Sequence, residues 1–350
     1  MLFKKSKDIL GIDIGSSAIK LVQLREHKGG YQLVNIGLVP LPPEAIVDNS
    51  LMDTSTIVEA LKSLVQGVGT KIKSVAASIS GSSVIIRKIS LPAMTEEELE
   101  DQIQWEAEQY IPFDINDVNL DFQILDTSLA DASKMNVLLV ASKKEIINDY
   151  VTVFAEAGLK LDVIDVDAFA AQCAYEANYE MVPDEVVALV NIGASVTNLN
   201  IIKDGLSLFT RDIQMGGNLY NEELQRQFGI KGEEAEQVKL HGGSEDPQKL
   251  QDIIERINDS ISMEIRRSID FYISTAAEEK VHKLFLSGGA AKTGGLVDSV
   301  AQRLNVPVAL LDPLLRVRYS EKEFDPEYVR EIGPFMAVAT GLATRRLGDK

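Results

Sequence analysis

Residues 10–20 read Leu-Gly-Ile-Asp-Ile-Gly-Ser-Ser-Ala-Ile-Lys, and residues 189–201 read Leu-Val-Asn-Ile-Gly-Ala-Ser-Val-Thr-Asn-Leu-Asn-Ile. Each is an apolar strand that reaches an Asp or Asn, turns through Gly and small hydroxyl residues, and continues apolar. A tight turn after a strand presents backbone N–H groups that can wrap a phosphate. Gly lets the backbone approach a ligand closely, and Ser or Thr adds hydroxyl donors. One copy alone reads more readily as an ordinary hairpin with a Gly turn. Two copies about 180 residues apart, with order and spacing repeated, point to a duplicated fold holding one anionic ligand between its halves. The Asp13 carboxylate would then stand where a phosphate-bound Mg²⁺ needs an oxygen.

The composition narrows the ligand class. The chain has 350 residues, 45% of them hydrophobic, enough for a large core in two lobes. Its 35 basic and 53 acidic residues leave a net charge of −18, which argues against a nucleic-acid partner. Only the start runs the other way: Lys4, Lys5 and Lys7 surround Phe3, either as a solvated end or as a contact for an anionic membrane surface or partner. The single cysteine, Cys173, excludes an internal disulfide framework and fits a reducing cytoplasm. It lies in an Ala-rich run and reads as a small apolar residue. Three His and one Cys make no metal-ligand spacing. No apolar run reaches the roughly 20 residues of a membrane span, and the charged start does not read as a signal peptide.

Periodicity places strands at 8–14, 18–25 and 31–39, an amphipathic helix at 54–69 and a strand at 74–80. A smaller module follows at 84–162, read as strand, helix, two strands, helix, strand. Thr95 and Glu98 form a capping box that starts its first helix. The acidic run on that helix reads as a solvated face. The helix closes on Tyr110-Ile111-Pro112-Phe113, an aromatic and apolar cluster that either packs on the module's own sheet or lines a peptide groove. Residues 163–182 read as another helix, with Asp167 a candidate N-cap within it. The region 216–282 is helix-rich, the strand 283–286 runs into Ser287-Gly288-Gly289-Ala290, and 333–347 is a helix of small residues. Neither a P-loop nor a Gly-x-Gly-x-x-Gly fingerprint is present.

In this order, the motifs resemble the actin/Hsp70/sugar-kinase superfamily: phosphate turn, helix, second phosphate turn, Gly-Gly with Ala-Glu-x-x-Lys, Gly-Gly after a strand, and a Gly/Ala helix. More narrowly, Gln102-Ile-Gln-Trp-Glu-Ala-Glu-Gln-Tyr-Ile-Pro-Phe113, Val118-Asn-Leu-Asp-Phe122 and Glu264-Ile-Arg-Arg-Ser-Ile-Asp-Phe-Tyr272 are similar to the PilM family of type IV pilus assembly proteins. The resemblance spans essentially the whole chain. It implies an α/β, actin-like (ribonuclease H-like) duplicated two-lobed fold with an inserted FtsA-like 1C subdomain. The implied divisions are 1–83 and 163–184 for subdomain 1A, 84–162 for 1C, 185–215 and 283–332 for 2A, 216–282 for 2B, and 333–350 for a helix returning to 1A.

The resemblance also implies ATP and Mg²⁺. Asp13 would hold the metal, and Gly15, Ser16, Ser17 and Lys20 the β/γ phosphates. Asn191, Gly193, Ala194, Ser195 and Thr197 would form the facing phosphate loop, with Gly216, Gly217 and Asn218 close to the nucleotide. Glu236 and Lys239 would meet ribose and base, the alternative being an exposed helical charge pair. Gly288, Gly289 and Ala290 would pack on the adenosine. Asp167 matches an acidic residue that positions water. Asn191 departs from the Asp found in many members, and an amide supplies neither a base nor an anionic oxygen. ATP binding is therefore expected with slow or absent hydrolysis. The implied partner is the N-terminal cytoplasmic peptide of PilN, with Tyr110, Ile111 and Phe113 in its groove. Other pilus proteins and self-association are further implied contacts, and the location is cytoplasmic, at the inner membrane through the partner. The alternatives are an FtsA/MreB-like filament-forming ATPase or a small-molecule kinase of the same superfamily.

Overall fold

A computed structural model describes residues 8–82, 84–127, 133–275 and 280–349. The basic start at Lys4, Lys5 and Lys7 lies outside the described residues. The first lobe begins with the antiparallel meander β1 (Leu10–Ile14), β2 (Ala18–His27) and β3 (Gly30–Pro40). The short pair β4 (Ile46–Val47) and β5 (Ser50–Leu51) leads into α1 (Thr54–Val68) and β6 (Ser74–Ile79). Helix α1 starts where the Asp53 side chain accepts from the Thr56 N–H, and it stops at Gly69 in the left-handed conformation. Its Ile57, Leu61 and Leu64 face the sheet.

The inserted module holds β7 (Val84–Pro92), α2 (Glu96–Ala107), β8 (Val118–Thr127) and β9 (Lys134–Lys143). Its strands form a separate sheet in the order β7-β9-β8. The capping box at Thr95 and Glu98 is formed. Strand period decides which face is covered. Val137, Leu139 and Ala141 share a core with Leu99 and Ile103 of α2, whereas Leu138, Val140 and Ser142 point to the other face.

The chain then returns to the first lobe earlier than 162. Tyr150, Val153 and Phe154 of α3 (Lys144–Glu156) belong to the first lobe's core, and β10 (Lys160–Val166) pairs in parallel with β6. The separate sheet therefore ends at 143. The alternation of strand and helix that runs on to 162 does not show which sheet a strand joins. Helix α4 (Asp167–Asn178) follows.

The second lobe repeats the plan with β11 (Val186–Ile192), β12 (Thr197–Lys203) and β13 (Leu206–Ile213). Helices α5 (Asn218–Phe228), α6 (Gly232–His241) and the long α7 (Pro247–Thr275) come next. Ile253, Ile257, Ile261, Ile265 and Ile269 form one buried stripe along α7 at a spacing of four. Strand β14 (Lys283–Ser287), α8 (Leu296–Leu304) and β15 (Val308–Leu310) complete the sheet. The strand orders are β3-β2-β1-β6-β10 and β13-β12-β11-β14-β15. Both have two antiparallel pairings followed by two parallel ones, so the duplication read from the two turns extends over whole sheets.

After α9 (Pro326–Ile332), helix α10 (Ala337–Thr344) lies back across β1, β2 and α4 of the first lobe. Its small residues permit this. A Cβ added at Gly11 of β1 would sit 3.0 Å from the Ala343 Cα, and one at Gly341 would sit 2.5 Å from the Ala170 carbonyl carbon.

Candidate functional site

The two turns are built alike and face each other. The Gly15 N–H donates to the Ala18 carbonyl at 3.1 Å, and the Gly193 N–H to the Val196 carbonyl at 2.9 Å. Across the interlobe cleft, the Ser195 Oγ donates to the Ser16 Oγ at 2.9 Å, and Asn218 Nδ2 donates to the Ser195 Oγ at 3.2 Å. The strand register then sets what stands beside each turn. Asp13 lies opposite Lys20, and their ion pair is 3.0 Å long with both side chains largely buried. At the matching positions of the second copy, Asn191 lies opposite Asn198, joined by an Nδ2-to-Oδ1 hydrogen bond of 3.3 Å. A charged pair in one lobe thus faces a neutral amide pair in the other. Asn191 is held further by Ser287, whose Oγ donates to its Oδ1 at 3.1 Å.

Parallel pairing of β1, β6 and β10 brings four further side chains to the cleft. Ser78 and Ser80 stand at the end of β6, Asp167 at the start of α4, and Tyr150 on α3. Asp167 does not cap its helix: Val166 takes that position without a side-chain bond, and Asp167 Oδ1 instead accepts from the Ser78 Oγ at 2.6 Å. Burial at the cleft floor, then the nearby Asp13 charge, pushes the Asp167 carboxyl up to about 6, although bonds from Ser78 and Ser80 oppose the rise. Burial, reinforced by the same two carboxylates, also raises the Tyr150 phenol above its ordinary value.

The sign of the Asp167 effect on stability follows. Its folded value lies above the ordinary 3.8, so the fold favours the protonated form. The Asp167 contribution to stability is full below about pH 4 and is lost as pH rises through about 6. Replacing Asp167 by Asn is expected to flatten that fall and, without magnesium, to raise unfolding free energy at pH 7.5 by about 1–2 kcal/mol. Urea titrations between pH 4 and 8 measure this, and a variant with the wild-type pH profile refutes it.

The second-lobe motifs converge on the Gly193 turn. The Gly217 N–H donates to the Gly193 carbonyl and the Asn218 N–H to the Ala194 carbonyl, each at 2.8 Å. A Cβ at Gly216 would lie 2.6 Å from the Ala194 oxygen, so close a backbone approach requires Gly there. Lys239, 5% exposed, pairs with Glu236 at 2.5 Å, and Asn221 Nδ2 donates to the same carboxylate at 2.7 Å. The pair is solvated on one side only: Lys239 Nζ is 3.7 Å from where a Gly217 Cβ would be, whereas the Glu236 side chain stays partly exposed. Ala290 also faces Gly217.

Other expected ligand residues meet the protein itself. Thr197 is buried, and its hydroxyl donates to the Met215 carbonyl at 2.8 Å, so it shapes the turn from behind. Gly288, at φ +88°, packs against Ile192 and Asn191, and Gly289 against the Phe335 ring. The sequence reading missed Ser78, Ser80, Tyr150 and Asn198. Hydroxyls at the C-terminal end of a predicted parallel strand were a usable signal for the two serines.

A second concavity of about 450 Å³ separates the module from the first lobe. Leu138, Val140 and Ser142 of β9 line it with Asn119, Asp121 and Gln123 of β8. Val163 of β10, Phe169 and Cys173 of α4, and Arg345 face them. Asp165 lies beneath, paired with Arg345 at 2.6 Å. Burial pushes the Cys173 thiol up to about 12, which keeps it unreactive as an apolar lining residue. Tyr110, Ile111 and Phe113 do not line this groove. Ile111 is buried in the module's α2-side core, Phe113 packs against that core with Lys143 Nζ 4.7 Å from its ring centroid, and Tyr110 is half-exposed. They occupy the opposite sheet face because α2 covers that face.

No helix among the described residues is long and apolar enough to cross a membrane. The chain is similar to a solved PilM-PilN type IV pilus biogenesis complex at 30% identity and TM-score 0.88, covering 98% of this chain and 100% of that one. It is 22% identical over 366 residues to the cell division protein FtsA of Neisseria meningitidis serogroup B, covering 92% of this chain and 88% of the relative. It also shares its fold with MreB5 of Spiroplasma citri bound to AMPPNP, at 12% identity and TM-score 0.51, covering 96% and 94%. A model of the type IV pilus assembly protein PilM family matches residues 11–347, so the chain belongs to that family.

Proposed function

We propose that this protein is an ATP-binding, actin-like scaffold of type IV pilus assembly whose groove takes the N-terminal segment of a PilN-type membrane protein. The observation that carries the peptide reading is the groove between module and first lobe. Both strands that border it, β8 and β10, are sheet edges. Edge strands offer unpaired N–H and C=O groups to an extended peptide, and alternating side chains supply the pockets. The Ser142 hydroxyl in the groove is buried without a hydrogen-bond partner among the described residues, which suits a polar ligand group. The 98% structural overlap with the chain of the solved PilM-PilN complex supports the choice of partner. Its cytoplasmic segment would hold this protein at the inner membrane without direct membrane contact.

The cleft fits a magnesium nucleotide. Two Gly turns face one another, Lys20 brings positive charge and Asp13 a carboxylate, and Lys239 stands beside the Gly217 turn next to the cleft. Among the described residues no three His, Cys, Asp or Glu converge, so a metal here would take most of its oxygens from phosphate and water, as magnesium does. Bound magnesium would neutralise phosphate charge; Ser16, Ser17, Ser195 and Lys20 would hold and orient the phosphates. Asn191 adds no charge to that set, and Asp167 is turned to Ser78, so hydrolysis is expected to be slow.

Calorimetry with a synthetic N-terminal PilN peptide is expected to give a micromolar or tighter Kd. Val140→Asp, at the groove floor, weakens it at least about tenfold, and Tyr110→Ala leaves it within about twofold. No heat and no competition with wild type would sink the reading.

A further inference from the structure

Cleft and groove share one piece of chain. Ser78 and Ser80 face the cleft, Val84 faces the groove, and Ile79 lines both. Gly81 makes the turn between them at φ +86°, with its carbonyl accepting from the Val84 N–H at 3.1 Å. A Cβ there would lie 3.0 Å from the Asn49 Cγ and overlap its amide nitrogen. This turn carries β6 of the first lobe into β7 of the module.

The other lobe grips this turn. The Gly81 N–H donates to Asp212 Oδ2 at 2.6 Å, and Asp212 stands on β13. Asp212 Oδ1 accepts from Asn198 Nδ2 at 2.8 Å, Asn198 Oδ1 accepts from Asn191 Nδ2 at 3.3 Å, and Asn191 Oδ1 accepts from Ser287 at 3.1 Å. These four residues are register partners, one row across β14, β11, β12 and β13. The row crosses the strands that flank the Gly193 turn and ends on the hinge of the module. A carboxylate that accepts a backbone N–H makes a charge-assisted bond, stronger than a neutral one. Asp212 itself stands outside the cleft lining.

We propose that Asp212 is a positioning residue that couples the two sites: lobe closure on a nucleotide sets the Gly81 turn, and with it the separation of module and first lobe across the groove. This rests on the functional reading above and names its regulation. The Gly81–Asp212 bond belongs to the closed arrangement, in which Ser16 and Ser195 also meet. ATP and magnesium therefore tighten peptide binding, and peptide tightens ATP binding by the same factor.

The test is a set of calorimetric titrations of the full chain with ATP·Mg, with the PilN peptide, and with each in the presence of the other. Wild type is expected to bind the peptide about 5–50 times more tightly with ATP·Mg present. In Asp212→Ala each ligand alone keeps its Kd within about threefold while that ratio falls to about 1. Asp212→Asn, which can retain one of the two bonds, falls between. A residue of merely structural importance would lower both affinities or the thermal midpoint and leave the ratio unchanged. Hydrogen exchange on wild type keeps the test independent of variant folding: peptide alone is expected to slow exchange of the Gly81 amide, as is ATP·Mg alone. A wild-type ratio of 1, an unchanged ratio in Asp212→Ala, or a Gly81 amide indifferent to both ligands overturns the inference. If either ligand fails to bind wild type by itself, the functional reading falls and takes the inference with it.

Discussion

Asp13→Asn is expected to lower the affinity for ATP in magnesium by at least about 100-fold while leaving the fold intact. Asp13 is the next-to-last residue of β1, lies beneath the Gly15 turn, and is the cleft carboxylate paired with Lys20 at 3.0 Å. The amide is isosteric, so the turn keeps its shape, yet the anionic oxygen that would face a bound magnesium is gone. The sign must reverse in EDTA. Metal-free ATP is repelled by the Asp13 charge, so the variant binds it as well as wild type or better. Both variants leave Lys20 without its counter-charge, but Asn keeps a side-chain oxygen that can accept from Lys20 Nζ and Ala does not, so Asp13→Ala carries the larger stability cost, towards the about 3–5 kcal/mol typical of removing one member of a buried pair. Titrating a fluorescent ATP analogue against both variants, with magnesium and with EDTA, separates the two effects. Equal magnesium-dependent binding by Asp13→Asn and wild type would move the phosphate site elsewhere.

The largest stability effect is expected at Gly341. An exposed helical Gly replaced by Ala gains up to about 1 kcal/mol from propensity. At Gly341 the neighbours of the new Cβ are Ala170 backbone atoms, which cannot rotate aside as a side chain can. Gly341→Ala is expected to cost about 2–3 kcal/mol, and Gly341→Val more than about 4 kcal/mol or yield no folded protein. Gly67→Ala is the control: it lies in α1 with nothing within 4 Å of its added Cβ, and it is expected to stabilise by a few tenths to about 1 kcal/mol. Urea midpoints of the three variants read the opposite signs directly. A stabilised Gly341→Ala would contradict the close crossing of α10 over α4.

Features written in contiguous residues were legible from the sequence. The two turns, the capping box at Thr95, the α1 stripe and the small-residue character of 337–344 each sit within one element, where local spacing reports the environment. What long-range pairing creates was not legible. Ser78 meets Asp167 only because β6 runs parallel to β10, a contact spanning 89 residues. Asp212 lies in a strand whose partners explain it and whose own sequence, Leu206–Ile213, carries no motif. Tyr110, Ile111 and Phe113 show the converse. An aromatic cluster at a helix end looks alike whether it packs inward or outward; here Ile111 and Phe113 turn inward to the α2-side core, away from the groove, while Tyr110 stays exposed. Residues 144–166 follow the module in sequence but belong to the first lobe's core.

The return of α10 to β1 has a consequence for how the molecule is made. The strands of the second lobe, β11 to β15, come off the ribosome as one run between residues 186 and 310, and can pair as they emerge. The face of β1 and β2 that α10 crosses cannot be covered until residues 337–344 appear. At ordinary synthesis rates β1 waits roughly 15–65 s with its Gly11 face bare. The later half of the chain is thus placed to fold first, and the opening strand, which carries Asp13, is among the last parts to be sheltered.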